Sequence, residues 1–425
     1  FRQGVFLNPC RGYAGWMNPR VWMAVAGAGL ALLLWFMLEP GKFLSPPAPR
    51  LKDRRSHRET SHPVASLPIV SQVKNSAAKQ DAVEVDVNLM TGSGKEVPGE
   101  KLIRFGSLGE YQKFLTLAPP GTVLGQADAL RAVRVKAGDW LKGAVDQTGG
   151  TMSANFYIHV PKVPLEVRQK GDTLYEEVGK KALDLVGAEG VTSDWGRGIK
   201  IALMDTPVEG LEKIEGESAG HGTAMRSLIV GQTGMARGAS PGAVLVPFPV
   251  LDEEGKGNSF GLAEAILRAT DQGFRVINMS LGSDGDSPVV RDAVAYALSH
   301  HVVLVAAAGN DAVNQVSYPA AYDGVVAVAS VDAAGNHLYF SNRGKPVDVA
   351  APGLSVAADW PGGKNVEVSG TSASTALVTG AVAALLSKEP DLTGGQAAKL
   401  LVSYADDTGM PGRDEETGGG MINLK

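Results

Sequence analysis

From Ile199 onward the chain alternates short apolar runs with longer segments whose apolar positions recur every three or four residues. The runs Ile199 to Asp205, Ala243 to Phe248, Phe274 to Ser280, His301 to Ala307 and Val325 to Ala329 predict strands. Ser259 to Gln272 carries apolar residues at Leu262, Ala263, Ile266 and Leu267, and Ser287 to His300 does so at Val290, Ala293, Val294, Ala297 and Leu298. Both spacings predict helices with one face against a sheet. Strands alternating with helices predict a parallel α/β sheet covered on both faces, with right-handed crossovers. Ligands of such sheets bind beyond the carboxyl ends of the strands. Asp205 ends one predicted strand and Asn310 closely follows another, so both are expected at that edge.

Upstream the pattern changes. From about residue 83 it predicts a strand at Lys101 to Phe105, a helix at Leu108 to Leu117, and a strand at Leu130 to Lys136. A short helix at Asp139 to Val145 and a strand at Asn155 to Val160 complete a small α+β unit of the split βαβ kind. Residues 40–82 are rich in Pro, Ser and charge and are expected to form a disordered linker. Before them lies Val21 to Leu38, uncharged and mostly apolar, preceded by Met17 and Arg20 and followed by Glu39-Pro40-Gly41-Lys42. No small-x-small cleavage site follows that run, so residues 17–39 are expected to be an uncleaved signal anchor rather than a cleaved signal peptide. Residues 1–16 are expected to lie upstream of the true start. The body is expected outside, tethered to the membrane through residues 21–38, or secreted if the segment is cut.

Composition adds two constraints. Residues 1–60 hold nine Lys or Arg against three Asp or Glu, a net +6, which leaves −11 for the rest of a chain whose total is −5. An acidic body argues against nucleic acid as a partner. Cys10 is the single cysteine, so no internal disulfide can form.

The stretch that could carry chemistry is Gly370-Thr371-Ser372-Ala373-Ser374-Thr375-Ala376, running into the small apolar segment Leu377 to Leu386. It predicts a packed helix from Ser372 onward. A helix N-terminus presents unpaired N–H groups that favour developing negative charge beside the Ser372 side chain. Alone, such a serine is more often an N-cap. Three other segments change that balance: Asp205 in Ile201-Ala202-Leu203-Met204-Asp205-Thr206, His221 in His221-Gly222-Thr223, and Asn310 in Ala306-Ala307-Ala308-Gly309-Asn310. His221 is the one histidine of seven followed by Gly-Thr and a helical run, Ala224 to Val230, which would fix its ring.

In these four segments and their order the chain resembles the subtilisin-like serine peptidases, the subtilases, over roughly residues 160–425. The resemblance implies Ser372 as nucleophile, His221 as general base and then acid, Asp205 as the group that orients and stabilises the imidazolium, and Asn310 as oxyanion donor. It also implies that Ser280, Leu281 and Gly282 pair with an extended substrate backbone, and that Ala307 and Gly309 help line an apolar primary pocket. The fold it implies is a subtilisin-like parallel sheet with helices on both faces, in a catalytic domain at 161–425. A small ferredoxin-like α+β propeptide at 83–160 would precede it, folding as a chaperone and acting as an intramolecular inhibitor. Trp195-Gly196-Arg197-Gly198 resembles the opening of the mature domain.

The implied partners are polypeptide substrates and the chain's own propeptide. No cofactor is implied for catalysis, no metal ligands are assigned, and structural calcium is a family trait without a clear site. The chain departs from the family at Pro207, in the separation of only sixteen positions from Asp205 to His221, and at Ala373, Ser374, Ala376 and Leu377. None of these removes a group that does chemistry. The competing function is a catalytically silent, subtilase-like peptide-binding protein. A nucleotide-binding enzyme is disfavoured because Gly27-Ala28-Gly29 lies inside the apolar run with no strand before it.

Overall fold

The computed structural model describes residues 96–211, 220–231 and 237–425, all within one compact unit, Ala77–Lys425. The expected anchor at 17–39, the linker at 40–82 and the first residues of the α+β unit lie outside the described residues. Among the described residues no helix is long and apolar enough to cross a membrane.

The N-terminal part runs β1 (Glu96–Arg104), α1 (Leu108–Leu117), β2 (Val123–Ala127), β3 (Ala132–Lys136), α2 (Asp139–Thr148) and β4 (Thr151–His159). Its antiparallel strands stand in the order β2-β3-β1-β4, the ferredoxin-like arrangement. The sequence pattern missed β2, whose Val-Leu-Gly-Gln-Ala is too short to show alternation and follows a Pro-Pro-Gly turn. Helix α1 starts where Ser107 accepts from the Glu110 amide while the Glu110 side chain accepts from the Ser107 amide, a reciprocal cap. One sheet face packs Ile103, Val133 and Val135 on Tyr111, Phe114 and Leu141 of the helices. The opposite face carries Leu102, Ala132 and Ile158 into the core of the larger part, against Phe260 and Leu262.

After the short hairpin β5 (Gln169–Lys170) and β6 (Thr173–Leu174) and one helical turn α3 (Ala182–Leu185), the chain enters the main sheet. Its elements are β7 (Lys200–Asp205), α4 (Gly220–Val230), β8 (Val244–Pro249), β9 (Lys256–Asn258), α5 (Ser259–Asp271), β10 (Val276–Met279), α6 (Pro288–Ser299), β11 (Val303–Ala307), β12 (Val326–Val331) and β13 (Val347–Pro352). The hairpin β14 (Val356–Trp360) and β15 (Lys364–Val368) leads to α7 (Thr371–Lys388) and α8 (Gly394–Ser403), and β16 (Ala405–Asp406) and β17 (Met421–Ile422) close the sheet edge. Strand order is β16-β17-β13-β12-β11-β10-β7-β8, parallel throughout except for the terminal β16–β17 pair.

Alternate strand residues serve opposite faces, as the two-residue period requires. Ile201, Leu203, Val303 and Val305 meet α4 and α7 on one side. Ala202, Met204, Leu304 and Ala306 meet α5 and α6 on the other. Because both faces are covered, these strands are continuous apolar runs. Helix α7 is buried along all of Thr371–Leu386, so its small residues are a packing requirement. A Cβ on Gly380 would stand 2.6 Å from the Ala239 methyl. Strand β7 has β8 on one side and β10 on the other, so the winding reverses there. Such a reversal opens a crevice at the carboxyl edge, and Asp205 is the residue at that end of β7.

Candidate active site

Asp205 is fully buried, and its Oδ1 accepts from the Thr206 amide and lies 2.7 Å from His221 Nδ1. A carboxylate only accepts, so Nδ1 carries the proton and Nε2 of the neutral ring is left as the basic nitrogen. His221 is 7% exposed and is the second residue of α4. The sequence placed that helix from Ala224. It begins at Gly220 because two glycines let the helix end approach its neighbours. A Cβ on Gly220 would enter the Trp360 ring, and one on Gly222 would enter the Thr206 carbonyl. The Gly222 amide donates to Thr206 Oγ1 at 2.9 Å, tying the helix start to the residue beside Asp205. Gly222→Ala is therefore expected to push His221 off Asp205, lowering stability by about 1–3 kcal/mol and turnover with it. Thermal midpoint and turnover measured together check this. An unchanged pair of values would mean that the Gly222 contact does not set the imidazole's place.

Ser372 is 4% exposed and lies one residue inside α7, whose first residue is Thr371 and whose N-cap is Gly370. This corrects the expectation that the helix opens at Ser372. Gly370 has φ 121°, a conformation that disfavours side chains, and a Cβ there would lie 2.7 Å from Asn310 Nδ2. The Ser372 hydroxyl donates to the Ser280 carbonyl at 3.3 Å rather than to the imidazole. Ser280 Oγ in turn donates to the Ser372 carbonyl at 3.1 Å and is held by Asn278 Nδ2, while Asn278 Oδ1 accepts from Thr379 Oγ1 of α7. This buried chain of polar groups sets the separation between the strand end and the serine turn.

Asn310 is 5% exposed, and its orientation follows from its partners. Oδ1 accepts from the Thr371 amide at 3.0 Å and from Thr371 Oγ1 at 2.9 Å, so Nδ2 must face the other way. There it donates to the Pro161 carbonyl at 3.1 Å. The sequence showed Thr371 within the Gly370 to Ala376 stretch but gave it no role of its own. Its only signal was its place directly before Ser372.

Pro161 belongs to a segment that continues β4 between two edges. On one side β4 pairs with β9, through Ile158 with Gly257 and His159 with Lys256, and the Val160 amide donates to the Gly255 carbonyl at 3.1 Å. On the other, His159 and Gly282 exchange both backbone bonds, at 3.0 and 2.9 Å. Gly282 thus borders an extended backbone, whereas the Ser280 carbonyl accepts from the Ser372 hydroxyl. Leu281 is fully buried in the core beneath. Ala307 is fully buried on β11, and Gly309, at φ 106°, turns its α-carbon toward Asn342 and Ser317. Gly255 was not foreseen as part of this edge.

Among the described residues no group of three or more His, Cys, Asp or Glu stands together that could hold a metal ion.

The Subtilase family model matches residues 196–420. Subtilisin DY from Bacillus licheniformis is 34% identical over 263 residues, covering 57% of this chain and 94% of that protein. A thermostable alkaline protease from Halalkalibacterium halodurans is also 34% identical, over 233 residues covering 51% of this chain and 64% of that protein. Among solved structures, fervidolysin from Fervidobacterium pennivorans, a keratinolytic enzyme related to subtilisin, has a TM-score of 0.65 at 25% identity. That match covers 79% of this chain and 61% of fervidolysin. A family match over more than half the chain, together with an Asp–His pair and a serine at the mouth of the central helix, places this chain in the subtilase family of subtilisin-like serine peptidases, which are hydrolases.

Proposed function

We propose that this chain is a self-processing serine endopeptidase that cuts extended polypeptides with Asp205, His221, Ser372 and Asn310. Ser372 Oγ attacks the scissile carbonyl while His221 Nε2 takes its proton, and Asp205 stabilises the imidazolium through Nδ1. The oxyanion forms beside Asn310 Nδ2 and the N-terminal end of α7, where the helix dipole favours negative charge. His221 then returns the proton to the leaving amine, and water resolves the acyl-enzyme by the same route. Substrate lies as a strand between Gly255–Asn258 and Ser280–Gly282. Main-chain bonding on two edges tolerates many side chains.

The observation that carries this proposal is the Pro161 carbonyl held by Asn310. A backbone carbonyl is presented to the very donor that the mechanism needs, by a strand paired on both sides. Residues 83–160 are proposed as propeptide and intramolecular inhibitor, and 161–425 as catalytic domain, with self-cleavage between Val160 and Val191. The proposed location is outside the cell membrane, tethered through residues 21–38 or secreted, on the strength of that apolar run.

Labelling tests the nucleophile. After the N-terminal segment has been released, a fluorophosphonate is expected to modify one peptide, at Ser372. A folded, processed protein that takes no label would be the catalytically silent peptide-binding protein instead.

A further inference from the structure

The register of the segment in the cleft identifies more than its presence there. In an antiparallel pair, moving two residues forward on one strand moves two back on the other. His159 is opposite Gly282, so Pro161 is opposite Ser280. At that position an ordinary residue would donate its amide to the Ser280 carbonyl. Proline has no N–H. The carbonyl therefore lacks its ladder donor, and the Ser372 hydroxyl donates to it instead, at 3.3 Å.

From this we infer that Pro161–Lys162 is the bond the enzyme cuts in its own chain, and that Pro161 slows the cut by drawing the Ser372 hydroxyl onto Ser280 and away from His221. The inference rests on the proposed roles of Ser372 and His221. Asn310 already grips the Pro161 carbonyl, so that carbon is the one presented for attack. In the reaction Ser372 Oγ bonds to the Pro161 carbonyl carbon and the C–N bond to Lys162 breaks. The Ser372 proton passes through His221 to the Lys162 nitrogen, and water then hydrolyses the Pro161 ester.

The chain beyond the bond is held as well. Val163 and Val167, with Tyr175, pack on Leu338, Phe340 and Leu354, and Tyr339 Oη donates to the Glu166 carbonyl at 2.6 Å. A new amine at Lys162 thus stays near the ester at high effective concentration, which favours rejoining and adds to the delay. Pro161 itself is buried, so the brake is shielded from other proteases until the segment moves.

The test uses the full chain, purified without other proteases, followed by intact mass and N-terminal sequencing of the products. The expected new N-terminus is Lys162, appearing at a rate independent of protein concentration. Pro161→Ala and Pro161→Leu both restore the N–H while differing in bulk. Each is expected to convert on the order of tenfold faster, the worth of about one hydrogen bond. Ser372-dependent cleavage at a different bond overturns the assignment. Equal or slower conversion of either variant overturns the brake. Cleavage of Ser372→Ala at Lys162 at the unmodified rate would instead sink the self-processing proposal on which both rest.

Discussion

Ser372→Ala is expected to remain a full-length, folded precursor with peptidase turnover reduced by about 10⁶-fold. The size comes from subtilisin, where removing the equivalent serine costs about 2 × 10⁶ in kcat. The precursor should fold because the hydroxyl makes a single 3.3 Å bond, to the Ser280 carbonyl, and a neutral bond of that kind contributes about 1 kcal/mol. Parallel purification of both proteins, with mass and N-terminal sequence of each, gives the measurement. Two fragments are expected from the unmodified chain and one species from the variant. If the variant is cut at the same bond and rate, the segment before the peptidase body is an ordinary accessory domain processed from outside.

Asn310→Ala is expected to lower turnover by about 10²–10³ with little change in KM, because the bond from Nδ2 to the carbonyl oxygen strengthens as negative charge develops there. That range again belongs to subtilisin. The substitution also leaves the buried Thr371 amide and hydroxyl without the acceptor they share, which costs about 1–3 kcal/mol of stability. Turnover should therefore be measured well below the variant's thermal midpoint. Rates unchanged in a folded variant would make Asn310 a turn residue that supports Thr371 and nothing more.

Much of this molecule was legible in its sequence. Strands β7, β10, β11 and β12 showed because both of their faces are covered, so Ile201 to Met204 or Val303 to Ala307 must be apolar without interruption. Helices α5 and α6 showed because each buries one face and leaves the 3.6-residue period in its sequence. Asp205, His221, Asn310 and Ser372 stood out through motif and order. What the sequence alone could not carry is whatever depends on a partner far along the chain. The Lys-Gly-Asn of β9 becomes a strand only because β4 lies beside it. Helix α4 can start at Gly220, against Trp360 and Thr206, only because residues 220 and 222 carry no side chain. The direction of the Asn310 amide is set by Thr371, sixty-one positions away. That a proline carbonyl reaches that amide, 149 positions away, was decided by the register of β4 against Gly255 and Gly282. Local propensity fixes which segments are strands and helices. Hydrogen-bond direction and strand register are relations between distant segments, and those only the folded chain decides.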